Sequence, residues 1–302
     1  MNSYFLSCDW GTTSFRLRLV EAGSLKVIAE ERSGTGIAGT YQLWQKTSLP
    51  REDYFAAIIN AQINVLSEKT GIPLQEVPVV LSGMASSSIG MVELPYKELP
   101  FNLSGADLAV HRYNRFIIIS GVCSKDDVMR GEETKVVGCG LPDTTQEQWL
   151  LMPGTHPKHV VVNRGQVVRF QTFMTGEFFD LLSTHSILAA SIGGDSALDC
   201  DGFIEGLHAG WAGNLLHTAF MVRTNQLLKK ISPAHNRSYL SGLLIGAELK
   251  AVPLNIPVYV VAGPLHTPLY TLACQLLNIP VAAVIDADEA LIRGQWAVIA
   301  DL

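Results

Sequence analysis

The chain of 302 residues is 48% hydrophobic and 17% charged, enough apolar material for two cored domains of about 150 residues each. Its formal charge of −6 creates no field that would gather nucleic acid or anionic lipid, so both are excluded as partners and an anionic ligand must be held by local groups. No apolar run reaches the roughly 18 residues of a membrane span, the start lacks a signal-peptide pattern, and five scattered cysteines without a Cys-x-x-Cys pair fit a reduced, cytoplasmic protein.

In chain order, residues 4–8 read as a buried strand and 14–20 as its hairpin partner, because Phe15, Leu17 and Leu19 alternate with Ser14, Arg16 and Arg18. Residues 51–69 have helical periodicity ending at Gly71, and 77–81 and 116–120 read as short buried strands. The polar, turn-rich stretch 141–146 is the best domain boundary, giving lobes 1–143 and 144–302. Residues 149–152 then form a strand, and 159–163 with 167–170 a hairpin around Arg164-Gly165. Helices are expected at 175–185, 202–230, 238–251, 265–278 and 287–299, with buried strands at 258–262 and 281–285. Each half thus opens with a strand, a Gly-Thr turn and a hairpin.

Those two turns carry the first chemical signal. Asp9 ends an apolar run and is followed by Gly11, Thr12 and Thr13: a carboxylate for magnesium, a glycine that admits an anionic oxygen, and two hydroxyl donors. The same residues also fit a hairpin closed by Asp and Gly. In the second half, Gly154 and Thr155 can turn backbone N–H groups to phosphates, with Lys158 adding charge. His156 and His159 lack a third ligand nearby and do not make a zinc site. Two phosphate-handling turns in separate lobes suggest a hinged kinase. Neither turn provides Gly-x-Gly-x-x-Gly between a strand and a helix, which disfavours a nicotinamide-dependent dehydrogenase.

Several strings now carry a resemblance: Asp9-Trp10-Gly11-Thr12-Thr13, Ser82-Gly83-Met84-Ala85-Ser86-Ser87, Met129-Arg130-Gly131-Glu132-Glu133-Thr134, Met152-Pro153-Gly154-Thr155-His156, and Ser241-Gly242-Leu243-Leu244-Ile245-Gly246-Ala247-Glu248. In this order and over nearly the whole chain, they resemble the 2-dehydro-3-deoxygalactonokinase family of the sugar-kinase/actin-type ATPase superfamily. The resemblance implies an α/β, two-lobed actin-like ATPase (ribonuclease H-like) fold with an interdomain cleft. The first lobe would bind sugar and phosphate and the second the nucleotide. It also implies an ATP-dependent sugar-acid kinase that transfers the γ-phosphoryl group to the 6-hydroxyl of 2-dehydro-3-deoxy-D-galactonate in galactonate catabolism, using ATP and Mg²⁺.

On that resemblance the base is Glu132 or Glu133, with Asp9 on the metal; adenine recognition falls to Gly263 and the helix after it, although Pro264 and His266 depart from the small hydroxyl residues expected there. The sugar acid calls for a guanidinium and hydroxyls, and Arg16, Ser86, Ser87, Tyr96 and Arg130 are the candidates. Arg16 could instead pair with Asp9, and Trp10 is expected to line the cleft. A different sugar or sugar-acid acceptor is the alternative, as is a non-catalytic actin-type sensor of sugar and ATP. Homodimerisation is left open.

Overall fold

The computed structural model describes residues 3–194 and 197–300. The chain opens with strands β1 (Tyr4–Trp10), β2 (Phe15–Glu21) and β3 (Val27–Ser33), then helices α1 (Ile37–Trp44) and α2 (Arg51–Thr70). Strand β4 (Val79–Gly83) leads through a 3₁₀ turn at Met84–Ser86 into short strands β5 (Lys97–Glu98), β6 (Phe101–Asn102), β7 (Val110–Tyr113), β8 (Phe116–Ile119), β9 (Val122–Cys123) and β10 (Val128–Met129). Helix α3 (Glu132–Val137) precedes β11 (Gln148–Met152), β12 (Lys158–Asn163) and β13 (Gln166–Thr172). Helices α4 (Thr175–Thr184), α5 (Ala189–Ile192), α6 (Cys200–Ala212), α7 (Leu215–Lys229) and α8 (Pro233–Leu249) follow. The chain finishes with β14 (Val258–Ala262), α9 (Thr267–Leu276), β15 (Val281–Asp286) and α10 (Ala287–Ala300).

These elements form two compact units: Met1–Thr145 with Asn163–Arg169 and Ala287–Leu302, and Gln146–Val162 with Phe170–Asp286. The break after Thr145 falls within the polar 141–146 stretch, whereas the last helix, placed in the second lobe on sequence grounds, groups with the first unit. Its reason is a backbone-to-backbone crossing. A Cβ built on Gly138 would lie 1.8 Å from the Ala290 carbonyl oxygen, and one on Gly294 1.8 Å from that of Thr134, so glycine alone lets α3 and α10 approach this closely.

In the first unit the sheet order is β3-β2-β1-β4-β8-β7. β1, β4 and β8 run parallel, while the outer pairings are antiparallel. The alternation read from the sequence is the core pattern: Phe15, Leu17 and Leu19 are buried with Phe55, Ile59 and Ile63 of α2, each such side chain contributing about 1.5–3 kcal/mol. Helix α2 ends at Gly71 in the left-handed conformation (φ 68°), as the expected stop requires. Where the strands at the centre of a sheet run parallel, the turns leaving their carboxyl ends are where ligands bind. Here those turns follow Trp10 and Gly83.

In the second unit β11 pairs antiparallel with β12 and parallel with β14, which pairs parallel with β15. Helices α6 and α8 cross at glycines: a Cβ on Gly206 would meet the Tyr239 carbonyl at 2.0 Å and one on Gly246 the Leu207 carbonyl at 2.2 Å. The single helix expected over 202–230 is two, because Asn214 starts a new one by accepting the Leu216 N–H at 3.0 Å. Strand β3 and helix α1 were not foreseen.

Candidate active site

Asp9 lies opposite Ser82, and Trp10 opposite Gly83, in the parallel β1–β4 register. The half-buried Asp9 carboxylate approaches the β4 end closely; a Cβ on Gly83 would sit 3.5 Å from its Oδ1. The following turn is tied to its neighbours. The Gly11 N–H donates to the Ser14 carbonyl (2.9 Å), while the Gly11 and Thr12 carbonyls accept from the first N–H groups of α1, Ile37 (3.0 Å) and Ala38 (3.1 Å). Thr12 and Thr13 stay exposed. Trp10 corrects an expectation: it is fully buried, edge-on to Phe15 at 5.0 Å, with its indole N–H donating to the Thr35 carbonyl. It is a core residue because both its ring and its one donor are satisfied there.

Three of the sugar-acid candidates meet. The Arg130 guanidinium donates to both the carbonyl and the hydroxyl of Ser86 at 2.6 Å and stacks on the Tyr96 ring at 4.1 Å. Ser87 stands apart from this group, its hydroxyl donating to the Met84 carbonyl at 2.7 Å. Arg16 pairs with neither Asp9 nor this cluster. It donates to both carboxylate oxygens of Asp288 on α10 at 2.7 Å, and Arg18 reaches the same carboxylate. Burial works against ionisation of Asp288, but the charges of Arg18 and Arg16 prevail and hold its carboxyl below the ordinary value.

Arg130 leads directly into the two glutamates. Gly131 takes φ 108°, a conformation that side chains rarely adopt, and a Cβ on it would lie 3.0 Å from the Gly83 Cα. This abutment places the start of α3 against the end of β4. Glu132, half-buried, accepts the Arg130 N–H at 3.1 Å. Glu133 is fully buried; its Oε2 accepts the Gly131 N–H at 2.7 Å and its Oε1 the Thr134 hydroxyl at 3.1 Å. Burial, reinforced by the Glu132 charge, pushes the Glu133 carboxyl up to about 7 against these hydrogen bonds. The Thr134 hydroxyl in turn lies 3.3 Å from that of Ser82, the register partner of Asp9.

The second unit holds a cavity of about 650 Å³ with a mainly apolar lining that includes Gly154, Thr175, Phe179, Ser241, Leu269 and Tyr270. Gly154 and Thr155 are seated on the first turn of α4. A Cβ on Gly176 would meet the Gly154 carbonyl at 2.5 Å, and the Thr155 carbonyl accepts the Glu177 N–H. Lys158 is buried, its ammonium donating to the His156 carbonyl at 2.8 Å, so it braces the turn from within. Gly263 caps α9 with its carbonyl, and the next residues, Leu265 and His266, line the cavity. Burial lowers the His266 imidazole.

Glu248 was legible only as the end of a long string. Its buried carboxylate accepts from Tyr270 (2.8 Å) and Thr175 and contacts His159 Nε2 (3.0 Å), joining α9, α4 and β12 behind the cavity. His156 instead faces Glu177 at 2.6 Å. Among the described residues no group of three or more His, Cys, Asp or Glu is placed to hold a metal by itself.

A model of the 2-keto-3-deoxy-galactonokinase family matches residues 9–298. The chain is 32% identical over 295 residues to a 2-dehydro-3-deoxygalactonokinase of Escherichia coli strain K12, covering 94% of each. It is 34% identical over 317 residues to a Rhizobium meliloti protein named "Probable 2-dehydro-3-deoxygalactonokinase DgoK1", covering 96% of this chain and 95% of that one. A Sinorhizobium meliloti crystal structure, described as that of a candidate 2-dehydro-3-deoxygalactonokinase, is similar with a TM-score of 0.84 at 31% identity, over 99% of this chain and 97% of that chain. An activator of 2-hydroxyisocaproyl-CoA dehydratase from Clostridium difficile, solved with bound ADPNP, shares the fold alone. Its TM-score is 0.52 at 12% identity, over 99% and 95% of the two chains. The fold is that of the actin-like ATPases and sugar kinases.

Proposed function

The chain belongs to the 2-keto-3-deoxy-galactonokinase family, and we propose that it transfers the γ-phosphoryl group of ATP to the 6-hydroxyl of 2-dehydro-3-deoxy-D-galactonate in cytoplasmic galactonate catabolism. The observation that supports this most is the Arg130–Tyr96–Ser86 cluster at the head of α3. A guanidinium with a neighbouring hydroxyl and ring suits a sugar carboxylate, and the same segment delivers a carboxyl tuned near neutrality two residues beyond Gly131.

Glu133 is the base in this reading. Its raised pKa matches a general base working near pH 7, and the Thr134–Ser82 contact ties it to the strand ends that carry Asp9. Glu133 accepts the proton of the 6-hydroxyl, that oxygen bonds to the γ-phosphorus, and ADP departs. Because Glu133 is fully buried, the head of α3 must rearrange before the sugar hydroxyl can reach it. Arg16 and Ser87 are left to structural contacts.

Asp9 fits magnesium. Among the described residues no cluster of three or more acids surrounds it, and a single carboxylate suits an ion that would keep water and nucleotide oxygens as its other ligands. When bound, the ion would neutralise phosphate charge. Thr12 and Thr13 supply exposed hydroxyls beside it. In the second unit the apolar cavity would take the adenosine, and the Gly154–Thr155 turn the phosphates, with Lys158 fixing the turn.

The test is a panel of 3-deoxy-2-ketohexonates, aldonates and neutral hexoses scored for ADP release and product mass. The galacto-configured keto acid should give the highest kcat/KM and a product one phosphoryl group heavier. A preference for a neutral hexose would overturn the sugar-acid assignment.

A further inference from the structure

The terminal helix reaches the same strand ends through one side chain. Gln295 on α10 is fully buried. Its Nε2 lies 3.1 Å from the Cys8 carbonyl oxygen, 3.3 Å from that of Val80 and 3.1 Å from the Ser82 hydroxyl. Carbonyls only accept, so the amide nitrogen must face them, and the orientation of Gln295 follows from chemistry. Holding it this way leaves Oε1 buried without a hydrogen-bond partner, an arrangement folds rarely keep without reason.

The direction of the remaining contacts is set from both ends. When Glu133 is ionised its carboxylate also only accepts, so Thr134 then gives its proton to Glu133 and must itself accept from Ser82. Ser82, donating to Thr134, accepts from Gln295. The line Gln295–Ser82–Thr134–Glu133 therefore runs one way, every member is fully buried, and it ends on a carboxylate oxygen. Helix register is held independently, since Gly294, beside Gln295, packs on the Thr134 carbonyl.

We infer that Gln295 is a positioning residue for Glu133, anchoring a one-way line of donors that orients the carboxyl and favours its ionised form. Its kinetic consequence rests on the reading of Glu133 as the base. Other charges around Glu133 are Glu132 on its own turn, Arg130 and Lys135 on the same segment, and Asp9 beyond Gly83. From α10 the facing group is the neutral Gln295, while Asp288 is held by Arg16 and Arg18.

The experiment follows the Glu133 carboxyl carbon by ¹³C NMR through a pH titration, assigned by its loss in Glu133→Gln, beside the pH profile of kcat. Thr134→Val, which keeps shape and removes the last donor, should move the titration up by roughly one pH unit. Thr134→Ser should restore it. Gln295→Leu should move it in the same direction by less, and should add nothing in a Thr134→Val background, because the line is already cut. If Gln295→Leu does not fold, Ser82→Ala cuts the line one link later and is measured in its place. A Glu133 titration unmoved by Gln295→Leu, or moved equally with Thr134→Val present, overturns the inference. A titration that moves while the acidic limb of kcat stays still supports the inference and overturns Glu133 as base.

Discussion

At the scale of residues, the proposed mechanism divides the work between two carboxylates. Asp9 is half-buried at the carboxyl end of a central strand, beside the Gly83 backbone. Asp9→Asn removes the charge without changing size, so turnover should fall by about 10²–10³-fold with little change in folding. Near-native turnover in the folded variant would remove Asp9 from the metal site. Glu133 makes a prediction of a different kind, because its value near 7 stands above the ordinary 4.5. Between those values the folded chain keeps a proton that the unfolded chain has lost, so stability falls as pH rises through about 7. Glu133→Gln should therefore lose turnover yet be less destabilised by raising the pH from 5 to 8, by up to roughly 3 kcal/mol. Urea unfolding at both pH values measures this; an identical pH dependence in the two proteins would mean that Glu133 is not held up as described.

Some of this was legible in the sequence and some was not. Ser86, Tyr96 and Arg130 could be named because a sugar carboxylate asks for their chemistry, and they do meet. Arg16 was named on the same logic but is engaged by Asp288. Their separation of 272 residues is beyond any local pattern. Gln295 gives no signal at all, since one glutamine in an amphipathic helix reads as solvated until the fold buries it.

At the scale of elements, periodicity did well where burial is one-sided. The β1–β2 hairpin and α2 follow from alternation and from a glycine stop. Strand β3 escaped because its sequence, VIAEERS, has no buried face to mark it; its residues range from exposed to half-buried at the sheet edge. The Ser-Gly-Leu-Leu-Ile-Gly-Ala-Glu string is explained by α8. Ser241 lines the cavity, Gly242 and Gly246 face α6, and Glu248 ties three elements together. The α3–α10 crossing yields a prediction on the same basis. In Gly294→Ala the new methyl would fall 1.8 Å from the Thr134 carbonyl, so the helices must separate, at a cost of about 1–3 kcal/mol. Since α3 begins with Glu132 and Glu133, kcat should drop by more than KM changes. A variant equally stable to urea and equally active would show that the crossing is not tight.

At the scale of the whole molecule, the candidate residues fall in both units. The proposed base, sugar-acid and metal residues belong to the first, and the cavity with the Gly154–Thr155 turn to the second. The polar stretch at 141–146, where the chain first passes from one unit to the other, stands out by composition. The return of Ala287–Leu302 to the first unit does not, because it depends on glycine-mediated helix contact rather than on chain order. If donor and acceptor are bound by different units, ATP should be consumed productively only when the acceptor is present, with water kept from the γ-phosphate otherwise. The most direct measurement is the rate of ADP formation with Mg²⁺ and saturating ATP, with and without 2-dehydro-3-deoxy-D-galactonate. The proposed kinase predicts a rate at least about 10²-fold higher with the keto acid, matched mole for mole by a 6-phosphate ester; equal rates in its presence and absence, with no ester formed, would contradict it.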